Sequence, residues 1–195
     1  VNVGDDIATK GDGAIGIVAQ SIGGGGGLAG HTSASNLLLG FAGLSDRFTG
    51  DGGNVQVVVA QGATVGTKGR NAPAMFLQSI GGGGGRITTD AGAYIGTAGG
   101  RGQAGTIDVT IDGAVSATGV GSAGIMAQGQ GDNSSNAAIN ITVGSTGLIS
   151  AGTDSNETGD FGQTAAIYIN HGGTGQPLSS DPSTPIVNTV TNNGQ

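Results

Sequence analysis

The chain has 195 residues, with 13 acidic side chains against six basic ones, a formal net charge of −7, 44 glycines and no cysteine. So few Lys and Arg argue against nucleic acid as a partner, since phosphate binding needs them clustered. The missing thiols exclude disulfides and thiolate metal sites, and fit a protein that crosses membranes unfolded. No apolar run approaches the roughly 20 residues of a membrane-spanning helix. Glycine at this level points to disorder on composition alone, but 35% of residues are hydrophobic and the net charge is modest for the length, so self-repulsion is weak. Aromatic residues make up 3% of the chain, so any core must be filled by many small side chains.

In chain order, a short strand at Val1-Asn2-Val3 precedes a polar turn motif, Ile7-Ala8-Thr9-Lys10-Gly11, and a second strand from Ile15 to Gln20. Gln20-Ser21-Ile22 then runs into five glycines, Gly23 to Gly27. An extension follows over 28–53, with the apolar run Leu37 to Phe41. The same sentence is then rewritten. Val55, Val57 and Val59 alternate with other residues, Val65-Gly66-Thr67-Lys68-Gly69 repeats the turn motif, Pro73 to Gln78 repeats the second strand, and Gln78-Ser79-Ile80 meets Gly81 to Gly85. A second extension, 86–105, contains Ala93-Tyr94-Ile95. The third copy reads Ile107, Val109 and Ile111, then Val115 to Gly119, then Ala123 to Gln128, where Gly129-Gln130-Gly131 replaces the five-glycine run. The fourth reads Ile139, Ile141 and Val143, then Ile149 to Gly152, then Ala165 to Asn170, with an insertion around Asp154 to Phe161. Residues 171–185 hold three of the four prolines and read as a loop.

Period-2 alternation of β-branched residues puts each Val/Ile set on one face of a strand, core on one side and wet on the other. Imperfect recurrence of such units is the mark of a stacked repeat architecture. The predicted fold is all-β: a right-handed parallel β-helix, built as a single solenoid over 1–195. Its repeat cores are 1–27, 54–85, 106–128 and 138–170, with the start of a further repeat at 186–195. Each core has about the length of one coil of three short strands, and an extension reads as a second, poorer coil. Glycine supplies the sharp corners. Stacking would align Gln20, Gln78, Gln128 and Asn170 as an amide ladder, a stabilising device before it is a binding site. The repeat interrupted at each end, and the start at Val1 without a signal peptide, read as a piece of a longer polypeptide.

Little in the chain carries chemistry. G-x-G-x-x-G occurs at Gly11-Gly13-Gly16, Gly25-Gly27-Gly30, Gly100-Gly102-Gly105 and Gly119-Gly121-Gly124, but none opens a helix with an acidic residue suitably beyond it, so no nucleotide cofactor is predicted. Asp5, Asp6, Asp12, Asp51, Asp132 and Asp154 sit in or near glycine-rich stretches. They lack the nine-residue recurrence of calcium β-rolls and read as turn aspartates, with calcium open at Asp5, Asp6 and Asp12. His31 and His171 lie far apart in different repeats, which predicts surface histidines rather than zinc ligands. The one carboxylate pair of interest is Asp108, on a strand face, with Asp112 just before the turn. On a β-helix that pair raises a polysaccharide-cleaving reading, set against plain turn and surface roles. No catalytic, cofactor or metal site is assigned.

Gly16 to Gly27 and Phe76 to Gly85 resemble the A-Q-S-I-G-G-G-G-G repeat of very large bacterial autotransporter passenger domains, over about residues 1–130. The resemblance implies a β-solenoid passenger at the bacterial surface or secreted, attached to the outer membrane through a barrel absent from this chain, often serving adhesion. The expected function is a structural or adhesive stalk segment without enzymatic activity, with a host or environmental surface, or other copies of itself, as partner. The competing readings are a self-assembling extracellular fibre subunit and a polysaccharide-active enzyme using Asp108 and Asp112.

Overall fold

A computed structural model of the chain describes residues 1–24, 26–32, 49–89, 94–96, 102–131, 137–152, 165–170 and 187–194. These carry sixteen β-strands and no α-helix. The first coil is β1 (Asn2–Val3), β2 (Ile7–Thr9) and β3 (Ile17–Ile22). The second is β5 (Val55–Val59), β6 (Thr64–Thr67) and β7 (Met75–Ile80), and the third is β10 (Ile107–Ile111), β11 (Ala114–Ala117) and β12 (Ile125–Gln130). The fourth is β13 (Ile139–Val143), β14 (Leu148–Ala151) and β15 (Ile167–Asn170), and β16 (Thr189–Asn192) stacks beyond it. Between coils run β4 (Gly26–Thr32), β8 (Gly84–Thr89) and β9 (Tyr94–Gly96).

Like strands of successive coils pair in parallel to make three stacked sheets, which is a parallel β-helix. The first sheet runs β1-β5-β10-β13-β16, the second β2-β6-β11-β14 and the third β3-β7-β12-β15. The register follows the sequence repeat. Ile7 faces Val65, Val65 faces Val115 and Val115 faces Ile149. Val57 likewise faces Val109, which faces Ile141.

The alternation in the first sheet behaves as the period predicts. Val55, Val57 and Val59 are buried with Ile107, Val109, Ile111, Ile139, Ile141 and Val143, while Gln56 is exposed and Asp108 and Asn140 are half-buried. All of these buried side chains except Val143 join Val65, Val115, Ala117, Met75, Leu77, Ile125 and Ala127 from the other two sheets in one continuous core. Complete burial of a Val or Ile side chain stabilises by about 1.5–3 kcal/mol, and the chain repeats that gain coil after coil instead of relying on aromatics.

One expectation needs correction. The segments read as polar turns after each alternating strand are themselves strands, β2, β6, β11 and β14. Their inward positions are small or β-branched, Val65 with Thr67 and Val115 with Ala117, all buried, and laddering to the coils on either side satisfies backbone that a four-residue segment could not satisfy alone. The extensions, read as second, poorer coils, lie partly outside the described residues, and their described parts are β4, β8 and β9. There β4 pairs in parallel with β8, and β9 joins β8 antiparallel, in a separate three-stranded sheet beside the solenoid. The run Leu37 to Phe41, the insertion around Asp154 to Phe161 and the proline-bearing loop 171–185 lie outside the described residues.

The third sheet also departs from one-face burial. Every residue of β7 and β12 is buried, so Phe76, Gln78 and Ile80 are as enclosed as Met75 and Leu77 on the opposite face. Parallel strands covered on both faces are the common case. Phe76, Ala123 and Met126 form a second apolar cluster, with Ile15 and Tyr168 packed against it.

Candidate functional site

Each letter of the Gln-Ser-Ile-glycine motif acquires a separate job in the fold. The glutamines form the predicted amide ladder: Gln20 Nε2 donates to Gln78 Oε1, and Gln78 Nε2 donates to Gln128 Oε1 at 2.6 Å. Gln78 and Gln128 are 0% and 1% exposed, so these amides satisfy one another in place of water. Asn170 stands opposite Gln128 in backbone register as predicted, but Gln128 Nε2 turns along its own strand and donates to Gln130 Oε1 at 3.1 Å.

The serines fasten the returning end of each extension. Ser21 Oγ accepts from the Gly53 N–H at 2.7 Å. Ser79 Oγ accepts from the Gly105 N–H at 2.8 Å and donates to the Gly53 carbonyl at 2.9 Å. One hydroxyl thus ties two successive return legs together. Of the isoleucines, Ile80 is wholly buried.

The glycines make a neck through which each extension leaves and re-enters the solenoid. The outgoing leg at Gly23 and Gly24 runs against the returning leg at Gly50 and Asp51, and the next outgoing leg at Gly81 runs against Gly102 and Gln103. A Cβ on Gly81 would collide with the Gly102 and Gln103 backbone, and one on Gly52 would lie 2.8 Å from the Ile80 carbonyl oxygen. Backbone hydrogen bonds hold the legs at this separation: Gly82 N–H to the Gly50 carbonyl and Gly52 N–H to the Gln103 carbonyl, both at 2.8 Å. Gly24, Gly82 and Gly83 also take positive φ of 79°, 74° and 86°, which favours glycine. The return-leg glycines Gly50, Gly52 and Gly53 carry as much of this as the five-glycine runs. Their signal in the sequence was a second, looser glycine cluster just ahead of the alternating strands at Val55 and Ile107.

The strand-face carboxylates are structural in their contacts. Asp108 Oδ1 accepts from Asn140 Nδ2 at 2.9 Å and Asp108 Oδ2 accepts from Thr106 Oγ1 at 3.0 Å. Asp112 leans over Gly144 of the next coil, and its carbonyl accepts from Thr146 Oγ1 at 2.7 Å.

The turn aspartates cap backbone rather than merely face water. Asp6, Asp12 and Asp51 each accept through Oδ1, at 2.8 Å, from the N–H of Thr64, Arg70 and Gln103 one coil away. Asn54 does the same for Thr106 at 2.9 Å. Among the described residues no group of three or more His, Asp or Glu is placed to hold a metal ion. His31 falls on β4, while His171, Asp132 and Asp154 lie outside the described residues. The G-x-G-x-x-G matches at Gly11 and Gly119 are corners stacked on one another, since a Cβ on Gly119 would strike the Gly69 carbonyl and one on Gly69 the Gly11 carbonyl.

One concave surface lies on the outer side of the second sheet, a shallow groove of about 360 Å³ crossing β2, β6 and β11. Ala8, Gly66 and Ser116, adjacent in register, form its floor, Lys10 and Lys68 stand at one end and Asp6 at the other. The floor residues were read as parts of turns, so their shared face was not visible until the turns proved to be strands.

No helix among the described residues is long and apolar enough to cross a membrane. No protein-family model, curated protein or solved structure matches the chain.

Proposed function

We propose that this chain is a structural and adhesive segment of a bacterial cell-surface or secreted passenger, with no enzymatic activity of its own. The observation that carries the reading is where its polar groups are used. The buried amides, the motif serines and the turn aspartates bond coil to coil, and Asp108 is occupied by Asn140 and Thr106. Such a scaffold stiffens itself and leaves its outer faces for contact.

Five strands of the first sheet at about 4.8 Å each rise only about 20 Å along the stack. Beside that stack, β4, β8 and β9 form a further sheet beyond the glycine necks.

Beads coated with the folded segment test this directly. They should adhere to glycan-coated or cell surfaces above beads coated with heat-unfolded protein, and equal adhesion would refute the adhesive reading. Incubation with plant and bacterial polysaccharides should yield no new reducing ends, and cleavage lost in the D108N/D112N double variant would instead support the enzyme.

A further inference from the structure

The groove on the second sheet carries features of a site for a linear, anionic polysaccharide. Lys10 and Lys68 occupy the same place in successive coils, one residue beyond the paired Thr9 and Thr67. Their Cα atoms are therefore about one strand spacing apart, roughly 4.8 Å, comparable to the length of one sugar unit. Both are exposed, and among the described residues neither ammonium has a hydrogen-bond or ion-pair partner. The nearby carboxylates Asp6 and Asp12 are engaged with backbone N–H groups.

Like charges side by side on a sheet destabilise it. This chain has only six basic residues and a net charge of −7, yet it places two of the six side by side, with the nearest carboxylates, Asp6 and Asp12, turned to backbone N–H groups rather than to either ammonium. An anion bridging both ammoniums would relieve that repulsion. The floor beside them is bare: Ala8, Gly66 and Ser116 offer no bulky side chain, and a Cβ on Gly66 would have its nearest neighbour at 4.0 Å, the Ile7 carbonyl oxygen. The Ser116 hydroxyl faces this floor, half-buried and without a hydrogen-bond partner among the described residues.

We infer that the groove formed by β2, β6 and β11 binds a linear polysaccharide bearing sulfate or carboxylate groups, with Lys10 and Lys68 pairing to its anions and Ala8, Gly66 and Ser116 seating its sugar rings. The inference rests on the adhesive reading above and gives it a ligand class. A shallow trough across three strands suits a strand-like polymer better than a planar bilayer. Its two cations are too few to track a phosphate backbone.

Titration of the folded segment with dextran sulfate, neutral dextran and phosphatidylserine vesicles at low salt separates the alternatives. Dextran sulfate should bind and neutral dextran should not, with binding falling as salt brings the screening length towards about 8 Å. The double variant K10Q/K68Q should weaken dextran sulfate binding about tenfold with an unchanged circular dichroism spectrum, two exposed ionic contacts being lost. Gly66→Tyr should weaken it comparably while keeping both charges. Equal binding of neutral dextran, binding to vesicles alone, or unaltered affinity in K10Q/K68Q would overturn the inference. Beads that adhere to surfaces while dextran sulfate fails to bind would sink the groove and leave the adhesive reading standing.

Discussion

Replacing Gln78 by Met tests whether the amide ladder stabilises the stack. Met matches Gln in volume, so packing loss is small, and the cost falls on the partners left behind. Gln128 Oε1, in a side chain 1% exposed, loses its donor and remains dry, a penalty of about 1–3 kcal/mol. Gln20 Nε2 loses its acceptor, but Gln20 is only half-buried and water can replace part of that bond, about 0.5–1 kcal/mol. Gln78→Met should therefore destabilise by about 1.5–4 kcal/mol, read as a lowered denaturation midpoint and faster amide exchange in β7 and β12. Replacing Gln20, Gln78, Gln128 and Gln130 together by Met leaves no orphaned amide and should cost less than the sum of the four single changes. A single-variant loss below about 0.5 kcal/mol, or strict additivity in the quadruple variant, would show that the ladder does not act by mutual satisfaction.

The neck predicts opposite outcomes for two glycines. Gly81→Ala drives a methyl group into the backbone of the returning leg and should destabilise by about 1–3 kcal/mol, whereas Gly66→Ala enters open space and should stabilise by about 0.4–1 kcal/mol; thermal melting of both variants checks the pair. Ser79→Ala removes the hydroxyl that joins Gly53 to Gly105 and should cost about 1–3 kcal/mol, with hydrogen exchange at Gly105 rising more than in the core strands. Val57→Asp places a carboxyl group in a wholly buried position and should lose more than about 3 kcal/mol, while Gln56→Lys, one residue away on the exposed face and opposite Asp108, should melt no lower than the parent; equal destabilisation by the two would refute the assigned faces.

What the sequence by itself determined is the stacking and its register. Val57, Val109 and Ile141 align in the sequence because strand alternation is local, and a repeat that must bury the same face in every coil has little freedom to slip. The same alignment placed Gln20, Gln78 and Gln128 in one column, since like positions ladder when like strands pair in parallel. What only the tertiary structure decided lies where distant segments meet. A four-residue stretch such as Val65 to Lys68 has too few positions for its period to distinguish a strand from a turn, and neighbouring coils settle the matter. Both faces of β7 and β12 are buried, which no period-2 pattern announces because apolar and polar residues do not alternate along either strand. The first glycine of each run, Gly23 and Gly81, needed a reason that its own segment does not contain. It is the leg returning through Gly50 to Gly53 and through Gly102 to Gly105, which passes too close for any Cβ at the contact points, so the constraint on one stretch of chain is set by the backbone of another.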